Sequence, residues 1–186
     1  MRRNFGKLIL LAALLSPASA QTGVEVEFSN GNVYLKPDSA AVVQGVTEKP
    51  TVELLAQEIL RLTNEARREN GLPELTRNKA LEEAAGEHSQ EMRTLNYFSH
   101  TSPTAGRETA RKRVQKFGVN PQMVAENIFE CSGYDLNLVA RFAVQSFLSS
   151  PSHRKNLMDG AVTHIGIGVC ESQGSVSVTQ VFGGGV

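Results

Sequence analysis

Thr51-Val-Glu-Leu-Leu-Ala-Gln-Glu-Ile-Leu-Arg-Leu-Thr-Asn-Glu-Ala-Arg-Arg-Glu-Asn-Gly71 is where the chain changes period. Val52, Leu55, Ile59, Leu62 and Ala66 recur every three or four residues, Thr51 is an N-cap residue, and Asn70-Gly71 followed by Pro73 stops the run. The spacing predicts an amphipathic helix. A second helix is predicted from Asn78, with Glu82 and Glu83 in its first turns, where the helix dipole favours them. Leu81, Ala84, Ala85, His88, Met92 and Leu95 share one face of it. A third, shorter helix is predicted over about residues 107–117, stopped by Gly118. A fourth follows Gly133, buries Leu136, Val139, Ala143 and Phe147, and ends near Ser149. Pro151 disfavours helix at Ser150 but suits the first turn of a new one, for which Ser150 is the N-cap.

Residues 124–130 read as a short strand, and residues 162–170 and 175–182 as a closing hairpin across Ser172-Gln173-Gly174. Helices first and a hairpin last predict an α+β or three-layer domain, not a doubly wound nucleotide fold. Gly166 and Gly168 lack the following helix and third glycine of a dinucleotide fingerprint, so they are read as close backbone packing. The Gly183-Gly184-Gly185 tail reads as frayed.

Before Thr51 the chain is of another kind. Arg2, Arg3 and Lys7 precede an apolar run over residues 8–15, and Ser16-Pro17-Ala18-Ser19-Ala20 follows, the pattern of a secretory signal peptide over residues 1–20. The apolar run is well short of the roughly 20 residues that span a bilayer. Residues 24–35 alternate around Asn30-Gly31, a hairpin signal, and residues 36–50 read as a linker with proline at both ends. The domain proper is therefore expected over residues 51–186. Without the signal the chain keeps 16 basic and 19 acidic residues, a balance that gives no global attraction to nucleic acid. Cys131 and Cys170 are the only cysteines, and for an exported chain the even count predicts a disulfide between them.

There is no His-Glu-x-x-His, no Gly-x-Ser-x-Gly, no phosphate-binding glycine loop and no Cys-x-x-Cys, so any site must be assembled from scattered positions. His100 and His153 lie in loop or helix-start positions, in Phe98-Ser99-His100-Thr101-Ser102-Pro103 and Ser150-Pro151-Ser152-His153-Arg154. Glu126 stands in an otherwise apolar strand, where a carboxylate is costly to bury unless something pairs with it. Two imidazoles and one carboxylate suit Zn2+ or another divalent metal with an open fourth position, and they would equally serve as a metal-free proton-shuttling pair. His88 reads as a packed histidine beside this site, and His164 as a structural one. Arg107, Arg111, Lys112, Arg113 and Lys116 read as a solvated face, with an anionic cell-wall polymer as the alternative partner.

Six stretches in order resemble the signatures of bacterial CAP (SCP-like) domains, the superfamily of cysteine-rich secretory proteins, antigen 5 and pathogenesis-related 1. They are residues 62–72, 88–92, 97–103, 125–128, 150–157 and 164–169. The resemblance implies a three-layer α-β-α sandwich with an open cleft, lined in many members by two His and two Glu. On matching positions His100 and His153 would be the cleft histidines and Glu126 the first acid. The second acid would fall near Ser150, where this chain has serine.

The resulting expectation is a monomeric protein, secreted to the extracellular space or periplasm. Its cleft, formed by His100, Glu126, His153, Ser150 and His88, would bind a divalent metal and a small molecule, lipid or cell-envelope component. The alternative is a metal-assisted hydrolase acting on peptide or cell-wall material, with Glu126 as candidate base.

Overall fold

The computed structural model describes residues 50–186 in full and, before them, the main chain of two strands, β1 (Glu25–Ser29) and β2 (Asn32–Lys36). These two pair antiparallel, Ser29 opposite Asn32. The expected signal peptide and linker lie outside the described residues.

Residues 50–186 form α1 (Val52–Glu69), β3 (Thr76–Arg77), α2 (Lys79–Thr94), α3 (Ala110–Lys116), β4 (Met123–Ser132), α4 (Leu136–Ser149), α5 (Pro151–Leu157), β5 (His164–Ser172) and β6 (Ser175–Gly184). The caps explain the boundaries. Thr51 Oγ1 accepts from the Leu54 N–H at 3.2 Å, and Asn78 Oδ1 from the Leu81 N–H at 3.2 Å. Thr109 caps α3, which therefore starts three residues later than the predicted Arg107. Ser150 stands at the N-cap of α5 but its hydroxyl makes no capping bond; Pro151 sets the first turn instead.

The four strands run in the order β3-β5-β6-β4, with β5, β6 and β4 antiparallel and the two-residue β3 parallel to β5. Gln173 and Gly174, both at positive φ, turn β5 into β6 in the manner of a type I′ hairpin. β6 is buried on both faces, and alternation along it sorts the layers. Val176 and Val178 pack with Leu55 and Ile59 of α1 and Val139 and Val144 of α4; Phe182 packs with Phe147 of α4 and Leu157 of α5. Val181 faces the other way, into Leu81, Ala84 and Ala85 of α2 and Val114 of α3. The domain is thus a helix–sheet–helix sandwich with α1, α4 and α5 on one side and α2 and α3 on the other.

On the α2 side, Gly166 and Gly168 let the helix backbone lie directly on β5. A Cβ at Gly166 would come within 2.0 Å of the Leu81 carbonyl carbon, and one at Gly168 within 2.2 Å of that of Ala85. The glycines are therefore the contact surface between helix and strand. Two expectations fail here. Leu95, counted on the buried face of α2, is 51% exposed, because the helix ends at its cap position. The glycine tail is not frayed as far as Gly184: β6 runs through it, pairing Met123 with Gly184.

The expected disulfide is corrected as well. Cys131 and Cys170 are free thiols. Cys131 is opposite Val176 and Cys170 opposite Ser177, so β6 lies between their strands. Two strand spacings come to roughly 9.5 Å, beyond the ~7 Å a bridge tolerates between Cα atoms. The alternation also aims the two side chains at opposite faces. Burial pushes the Cys131 thiol up to about 11.

Candidate functional site

β4 is an edge strand, with β6 on one side only. Glu126 lies on its α2-facing side, directly across from Val181, and is 8% exposed. A carboxylate so placed needs partners, and it has them. Oε2 accepts from Nη2 of Arg113 at 2.5 Å, and Oε1 accepts from Nδ1 of His100 at 2.9 Å. Because a carboxylate only accepts, the His100 proton sits on Nδ1 and its Nε2 is left without a partner. His88 of α2 brings its Nε2 to 3.9 Å from Oε1, but that nitrogen donates to the Ser99 carbonyl at 3.1 Å. The ring is fully buried, and desolvation holds its pKa below the ordinary histidine value, partly offset by the Glu126 charge. His88 is thus a packed neighbour of the site.

His153 arrives from the opposite layer. It is the third residue of α5, and α5 lies along the open edge of β4. Asn156 Nδ2 donates to the Glu126 carbonyl at 3.1 Å and to Asn127 Oδ1 at 3.0 Å. Asn127 Nδ2 in turn donates to the His153 carbonyl at 3.2 Å. The His153 ring packs edge-on against Phe147, centroids 5.5 Å apart, and stands 6.3 Å from the His100 ring. Its Nδ1 is buried with no partner. Desolvation, then the proximity of His100, holds its pKa below the usual value, so the ring is neutral at pH 7.

A hollow of about 300 Å³ opens in front of His100 and Glu126, lined also by Thr101, Glu108, Thr109 and Ala110. Glu108 is the second carboxylate, and it comes from the loop before α3, not from the neighbourhood of Ser150. Hydrogen bonds from its own N–H, from Lys112 and from the Gly106 N–H pull its pKa down to about 2. Neither Ser150 nor His153 lines the hollow; the Ser150 hydroxyl lies 3.2 Å from that of Ser152, and the His153 ring stands beside the hollow, next to His100. An acidic residue eight positions after His100 and just before a helix cap was the available signal, but it reads equally well as a dipole partner.

The structure therefore brings His100, Glu126, His88 and His153 to one rim of the sheet and leaves Ser150 aside. His164 is away from them, with Nδ1 2.9 Å from the hydroxyl of Thr163. The basic residues do not make a free cationic face. Arg107 pairs with Glu87 and Glu91, Lys112 with Glu108 and Lys116 with Glu87. Arg111 donates to the Pro121 and Gln122 carbonyls, and Arg113 is fully buried.

Among the described residues no group of three or more His, Cys, Asp or Glu side chains is arranged to hold a metal ion. Both Glu126 oxygens are engaged by Arg113 and His100. The donor chemistry that remains is two imidazoles, one with its Nε2 left free by a carboxylate on Nδ1, an orientation often found where histidine meets a metal.

The arrangement is a three-layer sandwich whose sheet rim carries imidazoles from two layers beside a buried carboxylate. Residues 60–182 match the family model described as the cysteine-rich secretory protein family, CAP, and the chain belongs to that family. It is 31% identical over 166 residues to the uncharacterized protein YkwD of Bacillus subtilis, covering 88% of this chain and 62% of that one. It is 36% identical over 113 residues to the uncharacterized membrane protein YlbC of the same organism, covering 61% of this chain and 31% of YlbC. The chain thus spans less than two thirds of either relative. Among solved structures, an extracellular protein of Bacillus anthracis containing an SCP domain superposes with a TM-score of 0.61 at 36% identity, over 70% of this chain and 40% of that one. NaASP2, crystallised with Zn2+, shares the fold with a TM-score of 0.53 at 15% identity, over 75% of this chain and 84% of that one. No helix among the described residues is long and apolar enough to cross a membrane.

Proposed function

We propose that this chain is an exported CAP-domain protein that binds a divalent metal, zinc first, between His100 at the rim hollow and the neighbouring His153, and with it a ligand outside the cytoplasm. One observation carries the reading: Glu126 holds the Nδ1–H of His100 at 2.9 Å, which leaves Nε2 free, 6.3 Å centroid to centroid from the neutral ring of His153. Glu126 acts on this reading as the partner that orients His100, and Glu108 is an anionic wall able to receive the water shell of a bound cation. The zinc in the NaASP2 crystal supports the same class of ligand. Export is supported by the basic, apolar and small-residue order of residues 1–20 and by the extracellular Bacillus anthracis protein.

The hydrolase reading has less support. A general base works best with a pKa near the operating pH. Glu108 is far below it, and Glu126 is already committed to a guanidinium. Calorimetric titration of zinc into the purified protein tests the proposal. Binding that disappears in the double variant His100→Ala/His153→Ala is expected; unchanged affinity would remove the site. Casein and peptidoglycan turnover abolished by a chelator would favour the hydrolase instead.

A further inference from the structure

Arg113 has no place in the expectation of a solvated basic face. It is fully buried on α3, one turn from the cap residue Thr109. Its guanidinium makes four contacts, three of them on the segment that carries the site. Nη1 donates to the Arg107 carbonyl at 2.9 Å and to the His100 carbonyl at 3.3 Å, while Nη2 donates to the same His100 carbonyl at 3.3 Å and to Glu126 Oε2 at 2.5 Å. His100 is therefore gripped at both ends. Its main chain is held by Arg113 directly, and its ring is held by a carboxylate that Arg113 itself fixes. The Arg107 contact closes the loop from His100 to Arg107, just ahead of Glu108.

We infer that Arg113 is the positioning residue of the hollow: it aims Glu126 at the Nδ1 of His100, and so presents the Nε2 of that ring to whatever binds there. A planar fork with several donors can hold two carbonyls and a carboxylate at once, whereas an ammonium cannot. His100 itself is half exposed, so packing alone does not determine its ring. The orientation has to come from hydrogen bonds, and every one of them traces back to this guanidinium.

The consequence for metal binding rests on the proposed function, but the consequence for the ring does not. Two measurements separate them. The first is a long-range proton–nitrogen NMR correlation of the histidine rings at pH 8 in metal-free protein, which reads which nitrogen of His100 carries the proton. The native chain is expected to show the Nδ1–H form alone. Arg113→Gln is expected to show a mixture of both tautomers, and Arg113→Lys, which keeps the charge on Glu126 but not the fork, a partial return to the native form. The second is zinc titration of the same proteins. Removing an outer partner of a histidine ligand weakens metal binding about 10- to 100-fold, so that loss is expected in Arg113→Gln, with partial recovery in Arg113→Lys. A folded Arg113→Gln with the native His100 tautomer would overturn the inference. If that variant does not fold, Arg113→Lys decides in its place: an unchanged tautomer population and unchanged zinc affinity would end it. A native chain that binds no zinc would overturn the proposed function, yet leave the tautomer measurement to judge Arg113.

Discussion

Asn156 reaches over the open edge of β4 to the main-chain oxygen of Glu126, 3.1 Å away, and with the same amide to Asn127 Oδ1 at 3.0 Å. An edge strand presents carbonyls that nothing in the sheet pairs. Here a helix supplies the donor, and in doing so fixes where His153 stands. Asn156→Leu removes both bonds and leaves a part-buried carbonyl unpaired, which costs about 1–3 kcal/mol. Urea unfolding should show that loss, and zinc affinity should fall with it. Unchanged stability would mean that water replaces the amide and that α5 is held by its other ties, the Asn127 bond to the His153 carbonyl and the packing of Leu157.

The glycines of β5 give a sharper contrast. Gly166→Ala drives a methyl into the backbone of α2, where overpacking costs typically 1–3 kcal/mol or more. Gly86→Ala, on the same helix with open space around the new methyl, should stabilise by up to about 1 kcal/mol. Thermal melts of the two variants should move in opposite directions. A Gly166→Ala protein melting with the native chain would show that the helix can lift off the strand.

Acid should weaken the fold through its histidines. His88 and His153 have pKa values held below the ordinary 6.5, so at pH near 6 the unfolded chain binds more protons than the folded one. Stability is then fully present above about pH 6.5 and declines as pH falls below it, by about 1.4 kcal/mol per pH unit for the fully buried His88, until its folded value is reached. Urea midpoints at pH 5, 6, 7 and 8 check the direction, and His88→Gln should flatten the curve. A midpoint constant from pH 8 to 5 would contradict the burial of both rings.

Both thiols should titrate in denaturant after purification under oxidising conditions, and Cys131, its pKa raised to about 11, should alkylate slowly in the native protein at pH 8. A mass two protons lower under non-reducing conditions would show a bridge that the strand order forbids.

The amino-acid pattern revealed the layers far better than the rim. Hydrophobic period is a local property, so α1, α2 and α4 and the closing hairpin were readable from spacing and caps, and Gly166 and Gly168 from their place in a strand. What was not readable depends on which segments meet. Nothing in Cys131 or Cys170 reports that β6 runs between them. Arg113 looks like its basic neighbours until α3 is laid on the sheet and turns that one position inward. Glu108 is illegible for the same reason: its place at the hollow depends on a loop wrapping back towards His100. Glu126 could be singled out in advance because an acid in an apolar strand must find a partner, but its spacing does not say that Arg113 and His100 are those partners.

The two rings that face each other belong to opposite slabs of the sandwich, with a single strand's width between them. Anything that grips both would rivet those slabs together at the margin of the sheet. Occupancy should then be felt as resistance to prying the domain open, so heating alone, with no activity assay, can report that the two rings have been bridged.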